Sequence, residues 1–334
     1  MSLRVGEFVS IAILATASVA TGCTGDRPPA DCSADVAVES GFDAALDTAP
    51  VDSSSIDASI DRNRGPTDSG YAVAHRFLAV DNNRLRLIMV DQIHGNEWEQ
   101  SVPFDPRDLQ LLDGDRVLMS HSAGAIEYAL ADGTPGWTVR GFTGVESARR
   151  LPNGHTLLGA NSPAGVLLID VDAAGHETSR RTLPGLAELR LIRVLANGNV
   201  LLTVSGPYRV LEIDDGGRTV WSADLPGKGY LAERLADGST FATTGDDVRL
   251  VQFDPSGTIV SQIGGRTDFA DAGFNWFSGF ELRDGGTAVI ANWLGHGALG
   301  TGPHVVEIDP SNHLVWSWTD FARADTVTNV LVIE

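Results

Sequence analysis

The residues best equipped for chemistry in this chain are His121, His296 and His304, with the indoles of Trp276 and Trp293 close in sequence to the last two. Imidazole passes protons near neutral pH and ligates metals. Indole offers a flat face to a sugar, an aryl group or a peptide. Between Trp293 and Pro303 runs "WLGHGALGTGP", whose Gly295–Gly300 segment matches the G-x-G-x-x-G pattern of dinucleotide-binding turns. That pattern works where the glycines turn a strand into a helix whose N-terminus holds a pyrophosphate. Here the loop is followed by "TGPHVVEIDP", a proline and a β-branched run that reads as another strand. With no helix to offer, the match is one of pattern alone.

Other catalytic spacings are missing from the sequence. It has no G-x-S-x-G, H-E-x-x-H, C-x-x-C or EF-hand run. The three histidines could meet around a metal, but nothing in their spacing requires it. No cofactor is expected, with PQQ or a metal ion as the alternatives. His155, His176 and His313 fall in turns, and His75 and His94 stand without an obvious partner.

The elements that must position these residues repeat about every forty positions. Five turns, "LLDGD", "LPNGH", "LANGN", "LADGS" and "LRDGG", carry Gly114, Gly154, Gly198, Gly238 and Gly285. Asn-Gly and Asp-Gly supply the positive φ of tight hairpins, and the apolar runs between them read as strands. "LAELRLIRVL" is the one stretch a helix could claim, and its place in the repeat makes it a strand. Asp91, Asp132, Asp172, Asp214, Asp254 and Asp309 each close a second apolar segment and mark six units. Four strands per unit at this period predict an all-β, six-bladed β-propeller over 74–334. The first unit lacks its opening strand, and Thr326–Glu334 supplies it, closing the ring.

Strand order puts the 293–303 loop and the aromatic connection "FNWFSGF" on one face. Counting seven residues past each turn glycine gives His121, Asn161, Ser205, Gly245 and Asn292, with Asp81 or Asn82 in the first blade. Counting eight before gives Glu146, Arg190, Tyr230 and Phe277. The expected ligand-binding residues are therefore His121, Asn161, Arg190, Tyr230, Trp276, Asn292, Trp293, His296 and His304. Of these, His121 and His296 are the candidate acid–base groups of an enzyme.

Trp98, Trp221 and Trp316 each stand seven residues after a unit aspartate, as in "IDDGGRTVWSA" and "IDPSNHLVWSW". This "D…G…VW" spacing resembles PQQ-like and arylsulfotransferase-type propeller repeats. The resemblance implies the fold; for the arylsulfotransferase type it also implies a catalytic histidine at the channel mouth. On packing grounds alone, the tryptophans fill the wedges between blades.

The N-terminus sets the cellular address. Arg4, the apolar run Phe8–Ala20 and "ATGC" ending at Cys23 form a short secretory signal that resembles a bacterial lipobox, with Cys23 as the lipidated residue. Residues 23–73, rich in Asp, Ser, Ala and Pro, cannot bury enough apolar surface to order and read as an acidic tether. Cys32 is the only other cysteine, so no disulfide framework is expected. The net charge of -20 argues against nucleic acid. The expectation is a monomeric, lipid-anchored envelope protein, outer-membrane by resemblance. It would meet the membrane only through its lipid and bind a carbohydrate, a peptide or an envelope protein. The alternative is a hydrolase, lyase or arylsulfotransferase-like enzyme.

Overall fold

The computed structural model describes residues 73–334. Residues 1–72, on which the expected secretory signal, the lipidation at Cys23 and nearly all of the expected tether fall, lie outside the described residues. Within them the chain forms six four-stranded antiparallel sheets arranged as the blades of a propeller. "LAELRLIRVL" contributes the strand Leu189–Val194, as the repeat requires.

The inner strands are Val327–Val332, Pro106–Leu111, Val145–Arg150, Leu189–Val194, Ala232–Arg234 and Phe277–Leu282, for blades one to six. The first of these comes from the end of the chain and pairs with Arg76–Asp81, so both ends of the propeller share one sheet. That pairing removes a free sheet edge at the seam. A buried contact ties this sheet to blade six: His75 Nε2 lies 2.8 Å from a Glu307 carboxylate oxygen, with its ring edge-on to Trp316. His75 thus has a partner that sequence spacing does not reveal.

Neighbouring blades interdigitate their apolar faces. Leu78 and Met89 of blade one pack with Val117 and Met119 of blade two, all fully buried. At the outer rim tryptophans tie blade to blade. The indole N–H groups of Trp98, Trp137 and Trp221 donate to the carbonyls of Leu130, Ala173 and Pro255 in the next blade. The unit aspartates organise turns: Asp172, for example, accepts the N–H groups of Ala174 and His176. Those bonds hold its carboxyl below the usual range.

All inner strands run from an upper face, where blades connect and second strands pass to third strands, to a lower face bearing the hairpin turns. Asp81 and Val327 pair at the top of blade one, and Phe77 and Val332 near the bottom.

Candidate functional site

Near the upper face the inner strands of five blades carry one residue more than the strand beside them. The register breaks fall between Pro106 and Leu109, Val145 and Ser147, Leu189 and Ile192, Phe277 and Phe280, and opposite Val80 and Asp81. Such bulges re-aim side chains. Here they place Arg107, Glu146, Arg190, Ser278 and Thr328 at one level, with Tyr230 of blade five completing the ring.

Arg107 escapes a count made from the turn glycines, for a definite reason. The turns are three residues long, closed by bonds such as Leu151 N–H to His155 O and Leu112 N–H to Arg116 O. Gly154, Gly198 and Gly238 stand third in their turns, whereas Gly114 and Gly285 stand second. In blades two and six the count is therefore off by one, and one residue flips a strand side chain to the other face. Ser122 and Trp293, rather than His121 and Asn292, occupy in their blades the position that Asn161 and Ser205 occupy in theirs.

The ring is ionic on one side. Arg107, almost fully buried, pairs with Asp105 and lies 3.4 Å from Glu146. Arg190 bonds Ser205 Oγ at 3.0 Å and faces Glu146. Burial pushes the Glu146 and Asp105 carboxyls up, against the pull of the arginines. Tyr230, 1% exposed, is also pushed up by burial. Its hydroxyl faces Thr328 with no hydrogen bond of ordinary geometry. Asp105 Oδ1 is likewise buried and unsatisfied. Asn161 is structural as well as polar: its amide accepts the Leu189 N–H and donates to the Leu189 carbonyl, clamping blade three to blade four.

Below this ring lies a second charged level: Arg149, Arg193, Glu233 and Glu281, with Asp108 just above it. Asp108 is fully buried and lies 3.2 Å from Arg193. Glu233 bonds Arg193 at 2.9 Å. Glu281 accepts the Val332 N–H at 3.0 Å, joining blade six to the closing strand. Burial, with Glu233 adding repulsion, raises its carboxyl to about 7.

The loops above blade six form a fixed wall. Asn292 accepts the Asn275 N–H and donates to the Gly273 and Pro303 carbonyls. Asn275 donates to the carbonyls of Trp293 and Gly295. A Cβ on Gly295 would stand 2.0 Å from the Trp293 ring, so the glycine gives room to an indole and not to a pyrophosphate. Trp293 Nε1 donates to Asn82 Oδ1 of blade one. Edge-on ring contacts run from Tyr230 to Trp276 at 5.5 Å, on to Trp293 at 6.0 Å, and to His296 at 4.8 Å. Trp276 and Trp293 are only 5% and 6% exposed, so their faces are covered by protein.

The histidines part company. His296 is exposed at the loop tip in a left-handed conformation. His304 is fully buried beside Trp318 and Phe321, accepts the Asp320 N–H at Nδ1, and is lowered to about 4 by burial. His121 stacks on Phe104 at 5.1 Å and accepts the Ala123 N–H at Nδ1. Burial and Arg140 lower it to about 4, so its neutral ring presents a buried, unpartnered Nε2–H. Among the described residues no three His, Cys, Asp or Glu side chains are grouped to hold a metal.

No protein-family model matches the chain, and neither does any curated protein. Solved structures do. A protein of unknown function from Bacteroides caccae is similar over 78% of this chain and 100% of its own, at 21% identity and a TM-score of 0.66. A streptogramin B lyase is similar over 75% of this chain and 87% of its own, at 11% identity and a TM-score of 0.53. A functionally unknown protein from Desulfotomaculum acetoxidans covers 78% of this chain and 99% of its own, at 10% identity and a TM-score of 0.53. At these identities the likeness is one of fold: this chain is a six-bladed β-propeller.

Proposed function

We propose that the chain binds a small polar ligand over the upper mouth of its channel, held at the cell envelope through a lipid on Cys23. The observation that carries this reading is the ring Arg107–Glu146–Arg190–Tyr230. It converges charged and hydroxyl groups where a buried phenol is left without an ordinary hydrogen bond. Buried polar groups are normally satisfied, and exceptions at a channel mouth suit a ligand. The envelope address rests on the sequence of the first 73 residues. The tryptophans that carry the PQQ-like and arylsulfotransferase-like resemblance sit largely at blade seams, which favours a shared architecture over a shared cofactor.

The test is a thermal-shift screen of the full-length chain against sugars, aryl sulfates, amino acids and cell-wall peptides, beside Tyr230→Phe and Arg190→Gln. A ligand at 100 times its dissociation constant stabilises the fold by about 2.7 kcal/mol. A shift abolished by both variants supports the reading. A shift that both variants retain puts binding elsewhere and sinks it.

An enzyme is the second reading, and the buried, unpartnered Nε2 atoms of His121 and His304 are the observation behind it, with His121 taken as the candidate. A neutral imidazole that donates from a buried position suits stabilising a developing oxyanion. The streptogramin B lyase among the similar structures lends this the fold alone. Turnover lost in His121→Gln with binding retained would favour it.

A further inference from the structure

We propose that the ligand at the channel mouth is a zwitterion, an amino acid or a short peptide, with its ammonium group against Glu146 and Asp105 and its carboxylate against Arg190 and Tyr230. This rests on the mouth being the ligand site and goes on to name the ligand's chemistry.

The first ground is the order of charges. Around the ring, blades two, three and four present Arg107, Glu146 and Arg190, and Asp105 stands beside Arg107. Two guanidiniums face two carboxylates, so the ionic half has no formal charge to spare. A ligand carrying a single charge would leave one charge uncompensated in a largely buried place, which is costly. A ligand carrying both signs meets each with a charge-assisted hydrogen bond and leaves the balance unchanged.

The second ground is what the mouth lacks. A sugar or an aryl ligand is held by stacking on an open aromatic face. The two indoles near the mouth are covered: Trp276 by Tyr230 and by Gly245, where a Cβ would lie 2.5 Å from the ring, and Trp293 by Gly295. The third ground is a pair of buried atoms without a hydrogen bond of ordinary geometry, the Tyr230 hydroxyl facing Thr328 and the Asp105 Oδ1 acceptor. A ligand with an acceptor at one end and a donor at the other answers both.

Protons should report the contact. Burial raises the Glu146 and Asp105 carboxyls, Arg107 pulls both down, Arg190 pulls down Glu146, and Tyr230 stands beside Glu146. A bound ammonium would add a further downward pull and release protons. Affinity would then rise with pH across the titration of the free site.

The experiment is calorimetric titration of the full-length chain, in two buffers of different ionisation enthalpy. The probes are free amino acids, dipeptides, their N-acetyl and C-amide forms, and a neutral disaccharide. The expected result is that free amino acids or dipeptides bind with proton release. N-acetylation and C-amidation should each weaken binding about tenfold or more. Glu146→Gln should remove the penalty for N-acetylation, and Tyr230→Phe, which keeps the ring, should weaken the parent ligand about tenfold. No binding of any zwitterion at millimolar concentration overturns the proposal. Binding of the disaccharide instead, lost in Tyr230→Phe, overturns the zwitterion while leaving the mouth as the site. Zwitterion binding that neither variant alters overturns both.

Discussion

Asp108 on the second blade and Arg193 on the fourth hold each other at 3.2 Å, past the blade that separates them. The Asp108 carboxylate also takes a bond from Ser147 of the intervening blade and faces the Asn329 amide of the first. Four blades therefore meet on one buried carboxylate, and the channel is braced at its middle.

Removing that carboxylate takes from the largely buried Arg149 its nearest carboxylate and leaves Arg193 with Glu233 alone. Asp108→Ala is expected to destabilise the fold by about 3–5 kcal/mol, the usual cost of stranding a buried charge. Urea denaturation checks this. A loss below 1 kcal/mol would mean that solvent already screens the arginines.

Glu281 should make stability depend on pH in the direction opposite to most carboxylates. Its folded-state pKa, about 7, lies above the 4.5 of an ordinary glutamate. The contribution is full below about 4.5 and is lost as pH rises through 7. Glu281→Gln is therefore expected to raise the melting temperature at pH 8 and leave it nearly unchanged at pH 4, with a gain of about 2 kcal/mol after allowing for solvent and Arg193. Equal effects at both pH values would refute the assignment.

Gly295→Ala should act through an indole. The added methyl would collide with the Trp293 ring and push its N–H away from Asn82. Overpacking of this kind costs about 1–3 kcal/mol. Thermal unfolding and tryptophan emission should both change; an unchanged spectrum would show that the loop relaxes around the methyl.

Trp221 ties blade four to blade five by its bond to the Pro255 carbonyl and lies under the Arg234 guanidinium at 4.3 Å. Trp221→Phe keeps an aromatic ring but loses the bond, at a cost of about 1 kcal/mol. A chemical-denaturation series including Trp98→Phe would show whether equivalent ties contribute equally.

Most of the architecture was legible because each unit repeats the same physical demands: a positive-φ glycine, an apolar run, an aspartate that caps a turn. Six blades and the closing strand follow from that pattern. The mouth was only partly legible. Glu146, Arg190 and Tyr230 were found because their turn glycines stand third in the turn. Arg107 was missed because Gly114 stands second, a difference that no composition shows. The cover over Trp276 and Trp293 was hidden for another reason: exposure depends on what packs from other blades, and Asn82 and Trp293 are far apart in sequence. The partner of His75 was hidden likewise, since Glu307 lies at the opposite end of the chain.

The seam of the ring has a directional consequence. The chain enters the propeller at His75, on the lower face, where the Arg76 N–H bonds the Glu334 carbonyl. The ionic mouth opens on the opposite face. The ring residues and the point where residue 73 joins the propeller therefore stand on opposite faces, so a label placed at residue 73 is separated from the mouth by the full height of the first sheet.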